Sequence, residues 1–226
     1  MIHCIGPTLR PMKEKNNATS AAPSQLKASN KAHYHHGNLR ETLIEASAHI
    51  IKLQGIEGLS LRKLADQVGV SRAAPYHHFK DKNALLAAVA EQGFLNLSTL
   101  LQAVIVQDIP LLQRLEQAVK GYLTFAVENP TQYDLMFSRK LWRDEQFDHF
   151  QRQAKDCFRL YVQLFEQLME QGLLKPGEDA LRLSQLLWAT LHGLAKLTEE
   201  GLFSVANSID EITQYALDRF EHSLIQ

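Results

Sequence analysis

The sequence predicts an all-α fold, in which an N-terminal three-helix domain containing a helix-turn-helix precedes a C-terminal helical bundle. Two patterns favour this fold class. The stretch from Leu59 to Phe79 has the apolar spacing of two short helices joined by a glycine turn. From about residue 95 onward, apolar residues recur every three or four positions, as on one face of a helix. The chain has 226 residues, enough for one or two domains with a hydrophobic core.

The N-terminal segment, residues 1–32, is a polar and basic extension that we expect to be disordered, because it lacks helical periodicity. It is suited to lying along a phosphate backbone, an inert extension fits equally, and Met12 is an alternative start residue. The HYHH run that follows contains His33, His35 and His36. Imidazoles bind zinc, copper or nickel, but no cysteine or carboxylate joins them nearby, so no metal and no other cofactor is predicted.

The first helix is predicted from Leu39 to Gln54, with Asn38 as its N-cap and with Gly55 and Gly58 at its end. Seven apolar residues are assigned to its inner face and flank. They are Leu39, Leu43, Ala46, Ile50 and Leu53 on the inner face, and Ile44 and Ile51 on the flank. This helix would form the third side of the domain.

The helix-turn-helix begins at Ser60, which is a candidate N-cap for a helix that extends to Val68. Gly69 can take the left-handed conformation that ends a helix. Ser71 is a second N-cap candidate, for a helix over residues 72–79 with Pro75 just inside its first turn. Two helices joined by such a turn can place the second one in a DNA major groove.

This second helix, called the reading helix below, carries residue types that can contact bases and phosphates. Arg72 can bridge guanine O6 and N7, and the small residues Ala73 and Ala74 allow close approach to base edges. Tyr76 and His77 can hydrogen-bond phosphates. A helical hairpin that merely packs against the rest of the chain is the alternative interpretation.

Asp81 is expected to cap a connecting helix that begins at Lys82, where a cation can meet phosphate, and that extends to about Val106. Four further helical segments are predicted. The first follows Pro110, which begins either a turn or the helix itself, and ends at Asn129; the others cover residues 131–142, 147–171 and 178 or 179 to 200. In the last of these, Gly193 would allow a neighbouring helix to come close. A final helix is expected after Ser208, with an apolar stripe formed by Ile212, Tyr215, Ala216, Phe220 and Leu224.

The charge distribution is uneven although the net charge is only −1. Residues 1–90 carry 12 Lys and Arg against 6 Asp and Glu, a net +6, and the remaining residues carry 12 against 19, a net −7. A basic N-terminal third suggests that nucleic-acid contact is confined to one end. Two cysteines, Cys4 and Cys157, are too few for a disulfide framework or a zinc module. No apolar run approaches the roughly 20 residues of a membrane-spanning helix, and the start lacks a signal-peptide segment, so a cytoplasmic protein without a membrane partner is predicted.

Residues 36–94 resemble the DNA-binding domain of the TetR family of bacterial transcription regulators. The resemblance rests on the helix ending at Gly55, the LSLRKLADQVGVS core, the AAPYHHF reading helix and the FKDKNALL junction. It implies an all-helical homodimer that represses transcription at a palindromic operator in double-stranded DNA and often leaves DNA when a small molecule binds. We expect eleven residues to contact DNA: Arg40, Ser60, Arg62, Lys63, Ser71, Arg72, Ala73, Ala74, Tyr76, His77 and Lys82.

Trp188, His192 and Gly193, together with the segment QYDLMFS, resemble the effector and dimerisation domain of the TetR branch with a Trp-His-Gly signature. The resemblance implies dimerisation through the last two helices. The expected domains are a tail over 1–32, the DNA-binding domain over 33–84 with its connecting helix to about 106, and the effector and dimerisation domain over 85–226.

A small apolar or aromatic effector is predicted, because no basic cluster in the helical body suggests an anionic one. Candidate effector-binding residues are Tyr122, Phe125, Phe137, Trp142, Phe158, Trp188 and His192, for which ordinary core packing is the alternative. An enzyme is not predicted, because the sequence has no glycine-rich phosphate loop, no metal-ligand spacing and no nucleophile paired with a base. A DNA-bound architectural protein with a closed core remains the rival interpretation.

Overall fold

Helices dominate the computed structural model of the chain, which describes residues 39–144, 147–202 and 209–224. Its described residues form nine α-helices and one 3₁₀ helix. The α-helices are α1 (Leu39–Gly58), α2 (Leu61–Val68), α3 (Lys82–Ile105), α4 (Leu111–Glu128), α5 (Pro130–Met136), α6 (Arg139–Trp142), α7 (Asp148–Glu170), α8 (Ala180–Glu199) and α9 (Ile209–Leu224). The predicted all-α class is confirmed.

The ends of α2 and the start of α3 are fixed by the predicted capping residues. Ser60 Oγ accepts a hydrogen bond from the Lys63 N–H at 3.2 Å. Gly69 has φ 78°, and its N–H donates to the Ala65 carbonyl. A left-handed conformation at this position stops the helix and turns the chain towards the reading helix. Asp81 Oδ1 accepts from the Ala84 N–H at 2.9 Å and so begins α3.

The reading helix differs from its prediction. It is a 3₁₀ helix over Ala74–His77 rather than an α-helix over 72–79, and its N-cap position is Ala73 rather than Ser71. Proline has no N–H, so Pro75 cannot donate the α-type hydrogen bond that the residue at this place in the turn would make. The Ala74 N–H instead donates to the Ser71 carbonyl at 2.9 Å. The α-helical assignment and the Ser71 cap were therefore wrong.

Helix α1 bends at Gly55, which has φ 71° and ψ 175°, and then makes one more turn to Gly58. Leu53, predicted to face inward, is 66% exposed, so that assignment was wrong. Ile44 and Ile51, predicted on the flank, are at most 3% exposed. The buried face of α1 is rotated towards these two residues because α2, α3 and α5 all pack against it.

Helix α3 lies at the centre of the described structure and packs against α1, α4, α5 and α7. Its 24 residues contain an 18-residue window with a mean hydropathy of 1.4, so α3 is long and apolar enough to cross a membrane, which the sequence analysis did not single out. However, 61% of this apolar window is buried inside the protein. Because neighbouring helices already cover its apolar face, α3 is a core helix.

Residues 131–142, predicted as one helix, form most of α5 and all of α6 with a break at Phe137 and Ser138. The Trp142 indole N–H donates to the Met136 carbonyl at 2.8 Å across this break. The bend turns the aromatic residues of this segment towards the interior.

In α9 the buried residues are Thr213 and Leu217, at 2% and 4% exposure. Tyr215, predicted on the inward stripe, is 67% exposed, so this assignment was wrong. The helix is turned by roughly one residue from its predicted orientation, since each residue rotates by about 100°. The tail, the HYHH run, Asn38, Ser208 and the side chain of Leu224 lie outside the described residues.

Candidate nucleic-acid interface and ligand cavity

The reading helix is anchored by two residues and exposes the others. Pro75 is buried, and Phe79 is only 3% exposed. Arg72, Ala73 and His77 are exposed, Tyr76 is 50% exposed, and Ala74 is half-buried. The side chains that suit base and phosphate contact are therefore presented to solvent, on a short rod fixed to the domain core.

Arg72 does not stand alone on this surface. Its Nε lies 3.3 Å from Asp66 Oδ1 and its Nη2 lies 3.4 Å from Asp66 Oδ2, so the two side chains form a bidentate pair across the glycine turn. Both side chains are exposed, at 71% and 56%. Sequence reasoning missed Asp66, because six residues separate the partners and the turn between them breaks helical spacing.

The other predicted DNA-contact residues lie on neighbouring elements. Arg62 and Lys63 are exposed in the first turn of α2, Ser71 is exposed before the reading helix, and Lys82 is half-buried as the first residue of α3. The Ser60 hydroxyl is already used as the α2 cap. The Arg40 guanidinium, on α1, lies 5.7 Å from the centroid of the Phe79 ring. These residues share one unit because α1, α2, α3 and the reading helix pack together.

A cavity of about 160 Å³ lies within the helical body. Its walls come from α3, α4, α7, α8 and the segment around α6. The lining residues are Phe94, Leu97, Tyr122, Phe137, Trp142, Ala154, Lys155, Cys157, Phe158, Tyr161 and Trp188. Five predicted effector residues are among them, whereas Phe125 and His192 do not line it. In the described part of the chain, no group of three or more His, Cys, Asp or Glu is arranged to hold a metal ion.

Sequence reasoning missed the cavity residues that α3 supplies and, apart from Phe158, those that α7 supplies. Phe94 and Leu97 read as ordinary core positions of the connecting helix. Tyr161 and Cys157 fell on the inward stripe of α7, which does not distinguish a packed residue from one beside an empty space. Burial raises the pKa of the Cys157 thiol, which keeps it protonated and unreactive.

His192 belongs instead to a hydrogen-bond network with two buried tyrosines. Tyr122 Oη lies 2.6 Å from Tyr133 Oη, which in turn lies 2.7 Å from His192 Nδ1. Burial raises the pKa of both tyrosines, so both remain protonated hydroxyls. Burial and then the nearby Lys196 ammonium lower the pKa of His192, which favours the neutral imidazole. The hydrogen-bond network thus extends from the cavity wall at Tyr122 to His192 on α8.

Helix α5 connects this hydrogen-bond network to the DNA-binding part of the molecule. Tyr133 lies on α5, and the same helix packs against α1 and α3. The Gln132 amide donates to the Val89 carbonyl of α3 at 2.9 Å. Asp134 pairs with Lys196 of α8. Helix α5 therefore contacts α1 and α3 and also, through Tyr133, the cavity-lining residue Tyr122.

Comparison with known proteins gives two matching families. Residues 43–89 match the family described as "Bacterial regulatory proteins, tetR family", and residues 115–220 match "Tetracyclin repressor-like, C-terminal domain". The nucleoid occlusion factor SlmA of Photobacterium profundum is 30% identical over 156 residues, which cover 66% of this chain and 79% of that protein.

Two solved structures show the same fold. A protein of unknown function from Rhodococcus sp. RHA1 has a TM-score of 0.77 and 32% identity, covering 87% of this chain and all of its own (100%). The ketosteroid transcriptional regulator KstR2 of Mycobacterium tuberculosis has a TM-score of 0.59 and 17% identity, covering 83% of this chain and 95% of its own. The second likeness is one of fold alone.

Proposed function

The chain belongs to the TetR family and is a DNA-binding transcriptional regulator, and from this premise we propose that it is a repressor released by a ligand. It binds a palindromic operator in double-stranded DNA as a homodimer, in the cytoplasm. A small apolar or aromatic molecule in the cavity lowers its affinity for the operator. Its assignment to the branch with the Trp-His-Gly signature is part of the same proposal.

The observation that carries the DNA-binding part is the exposure of the reading helix. The buried residues Pro75 and Phe79 anchor this helix to the core. Its exposed side chains include Arg72, Tyr76 and His77. Arg72 reads a guanine through its planar fork. Phosphates are bound by Tyr76, His77 and the cations of α2, and these contacts fix the register of the reading helix in the major groove.

Dimerisation is supported by an apolar face on α8 that nothing in the described chain covers. Leu186 and Leu197 are 58% and 37% exposed. Between them lies Gly193, where an added Cβ would meet no atom within 4 Å. Tyr215 of α9 is also exposed. Exposed apolar residues that repeat along one face indicate a surface for another helix, and we assign that surface to the α8 and α9 helices of a second copy.

The cavity supports the control part of the proposal. It opens a space between the aromatic residues that a closed core would fill, which favours a ligand-responsive regulator over a purely architectural protein. A ligand that binds only one arrangement of the helices shifts the population towards that arrangement. We assign α5 as the coupling element, because it contacts α1 and α3 and carries Tyr133.

Nucleoid occlusion is a second candidate function, because the SlmA relatives that bear that name match two-thirds of the chain. The two functions predict different distributions of bound sites. A ligand-controlled repressor occupies a few sites next to the genes that it controls. An occlusion factor would occupy many sites spread along the chromosome.

Selection of bound genomic fragments by the purified protein tests the proposal. We expect a small set of fragments that share a palindrome, and at least one small aromatic compound that releases the protein from them. Many dispersed sites with no release by any compound would support the second candidate and contradict the first.

A further inference from the structure

The cavity has the size of a single ring. An apolar cavity of about 150 Å³ in another protein takes up benzene, and this one measures about 160 Å³. Phe94, Trp142 and Trp188 are among the rings that surround it. A six-membered aromatic ring therefore fits between these side chains, whereas a fused multi-ring body would need the walls to move.

Lys155 lies at the rim of the cavity. Lys155 is exposed on α7 and lines both the cavity and an outer groove that also includes Arg159 and Gln163. The neighbouring carboxylate of Asp156 is engaged by Arg159 at 2.5 Å. No hydrogen bond or ion pair engages Lys155 within the described residues. Its ammonium is therefore available to a carboxylate that projects from the cavity.

Tyr161 is a second polar residue of the cavity wall. Tyr161 lines the cavity and is 4% exposed, and its hydroxyl has no hydrogen-bond partner among the described residues. The hydroxyl of Tyr122, in the same wall, is satisfied by Tyr133. Among the described residues, the fully buried side-chain oxygen without a partner is Ser98 Oγ, so the Tyr161 oxygen keeps some accessible surface. A hydroxyl beside an otherwise apolar cavity lacks the hydrogen bonds that water would give it. An oxygen atom of a ligand would give the Tyr161 hydroxyl a hydrogen-bond partner.

We propose that the effector is a single-ring aromatic monocarboxylate whose ring carries an oxygen substituent. The ring fills the cavity, the ring oxygen hydrogen-bonds to Tyr161, and the carboxylate pairs with Lys155 at the rim. The two polar residues are six positions apart on α7, about 9 Å along the helix axis. They also lie about 120° apart around the helix, with Lys155 exposed and Tyr161 buried, so a ligand that contacts both carries its two polar groups at opposite ends. This assignment rests on the proposed function and specifies its ligand. It departs from the sequence expectation of a ligand without an anionic group, because a single cation, Lys155, rather than a basic cluster lies at the rim.

Calorimetric titration with three probes tests the assignment. The probes are 3-(4-hydroxyphenyl)propionate, its neutral amide, and 3-phenylpropionate, which lacks the ring hydroxyl. We expect the hydroxylated acid to bind most tightly to the full-length protein, and each of the other two to bind at least about fivefold more weakly, as expected for the loss of one charge-assisted or one buried hydrogen bond.

Two variants assign each difference to a residue. In Lys155→Met the acid and the amide should bind alike, while the preference for the ring hydroxyl remains. In Tyr161→Phe the hydroxylated and plain acids should bind alike, while the preference for the acid remains. Arg152→Met, which removes an exposed α7 cation that does not line the cavity, is the control and should keep both preferences.

Two results would overturn the assignment while the proposed function stands. In one, the neutral amide binds the wild-type protein as tightly as the acid; in the other, the Lys155→Met variant retains the advantage of the acid. Either would show an aromatic ligand in the cavity without carboxylate recognition. If none of the three probes bound, and no other aromatic compound bound or released the operator, the assignment and the ligand-controlled function would both be contradicted.

Discussion

Arg72 has an ion-pair partner before any DNA is bound. Its bidentate pair with Asp66 places the guanidinium beside the end of α2. Exposed pairs of this kind contribute only about 0.2–1 kcal/mol to stability, so the guanidinium can leave Asp66 for a guanine at little cost. The pair thus limits the conformations of a flexible side chain at the place where base contact is proposed.

Replacing Arg72 and Lys82 should separate base recognition from phosphate contact. Arg72→Ala should cost about 1–3 kcal/mol of binding to the cognate site and relax the preference at one base pair per half-site. Lys82→Ala should weaken binding to all sequences alike, because phosphates carry no sequence information. Fluorescence anisotropy on operators with single base changes measures both effects. Equal losses on every DNA in both variants would contradict the assignment.

His192 should make the fold sensitive to acid. Its pKa is lowered in the folded protein, first by burial and then by Lys196. Above pH 6.5 the imidazole is neutral in both the folded and the unfolded chain, so its contribution is constant. As the pH falls below about 6.5, the unfolded chain takes up the proton first, and the free energy of unfolding therefore decreases.

The measurement is urea unfolding at pH 7.5 and pH 5.5 for the wild type and His192→Gln. Glutamine does not titrate and can still hydrogen-bond to Tyr133. The wild type should lose more stability than the variant over this interval. The other histidines are common to both proteins, so an identical loss in the two would show that His192 makes no such contribution.

At the scale of elements, the local rules predicted where helices begin and end better than which way they face. The caps at Ser60, Gly69 and Asp81 were predicted because a cap depends only on backbone groups that are close in sequence. The orientations of α1 and α9 depend on which helices pack against them, so Leu53 and Tyr215 were assigned to the wrong side. The 3₁₀ form of the reading helix follows from the missing N–H of Pro75, whose effect was underestimated.

The cavity shows the same difference between what local sequence predicts and what tertiary packing determines. Aromatic residues at helical spacing identified Tyr122, Phe137 and Trp188, which do line it. The spacing could not show that Phe94 of α3 completes the wall, because the meeting of two helices far apart in sequence is set by tertiary packing. Nor could it show that His192 bonds to Tyr133, 59 residues away.

Gly69 should be essential to the turn between α2 and the reading helix. In Gly69→Ala the new Cβ would meet no atom within 4 Å, so the cost comes only from φ 78°. We expect a loss of about 1–2 kcal/mol in the free energy of unfolding, together with weaker DNA binding. Gln67→Ala, at an exposed position of α2, is the control and should be close to neutral. Unchanged stability of Gly69→Ala would contradict a constrained turn.

At the scale of the whole molecule, the proposed dimer brings two reading helices to one operator. The exposed apolar residues of α8 are among those that a single copy leaves uncovered. The domain boundaries remain predictions, and α3 continues through the predicted boundary at residue 84 as one helix. This continuity gives the body a rigid connection to the DNA-binding part.

Leu186→Glu should break the dimer without unfolding the chain. Leu186 is 58% exposed in one copy, so a charge there is tolerated in the monomer but would be desolvated in the interface. Light scattering should show a monomer at micromolar concentration, with helical circular dichroism retained and operator binding reduced. Gln102→Glu, at an exposed position of α3, should remain dimeric. A dimeric Leu186→Glu variant would place the interface elsewhere.

The most direct measurement changes the spacing of the operator. Two reading helices related by a two-fold axis require half-sites about 10–10.5 base pairs apart, centre to centre. Inserting five base pairs between the half-sites moves them to opposite faces of the duplex. We predict that the affinity then falls to that of a single half-site. Insertion of a full turn returns the half-sites to the same face, so part of the affinity is restored if the dimer can span the longer distance. Unchanged affinity after the five-base-pair insertion would contradict paired reading helices.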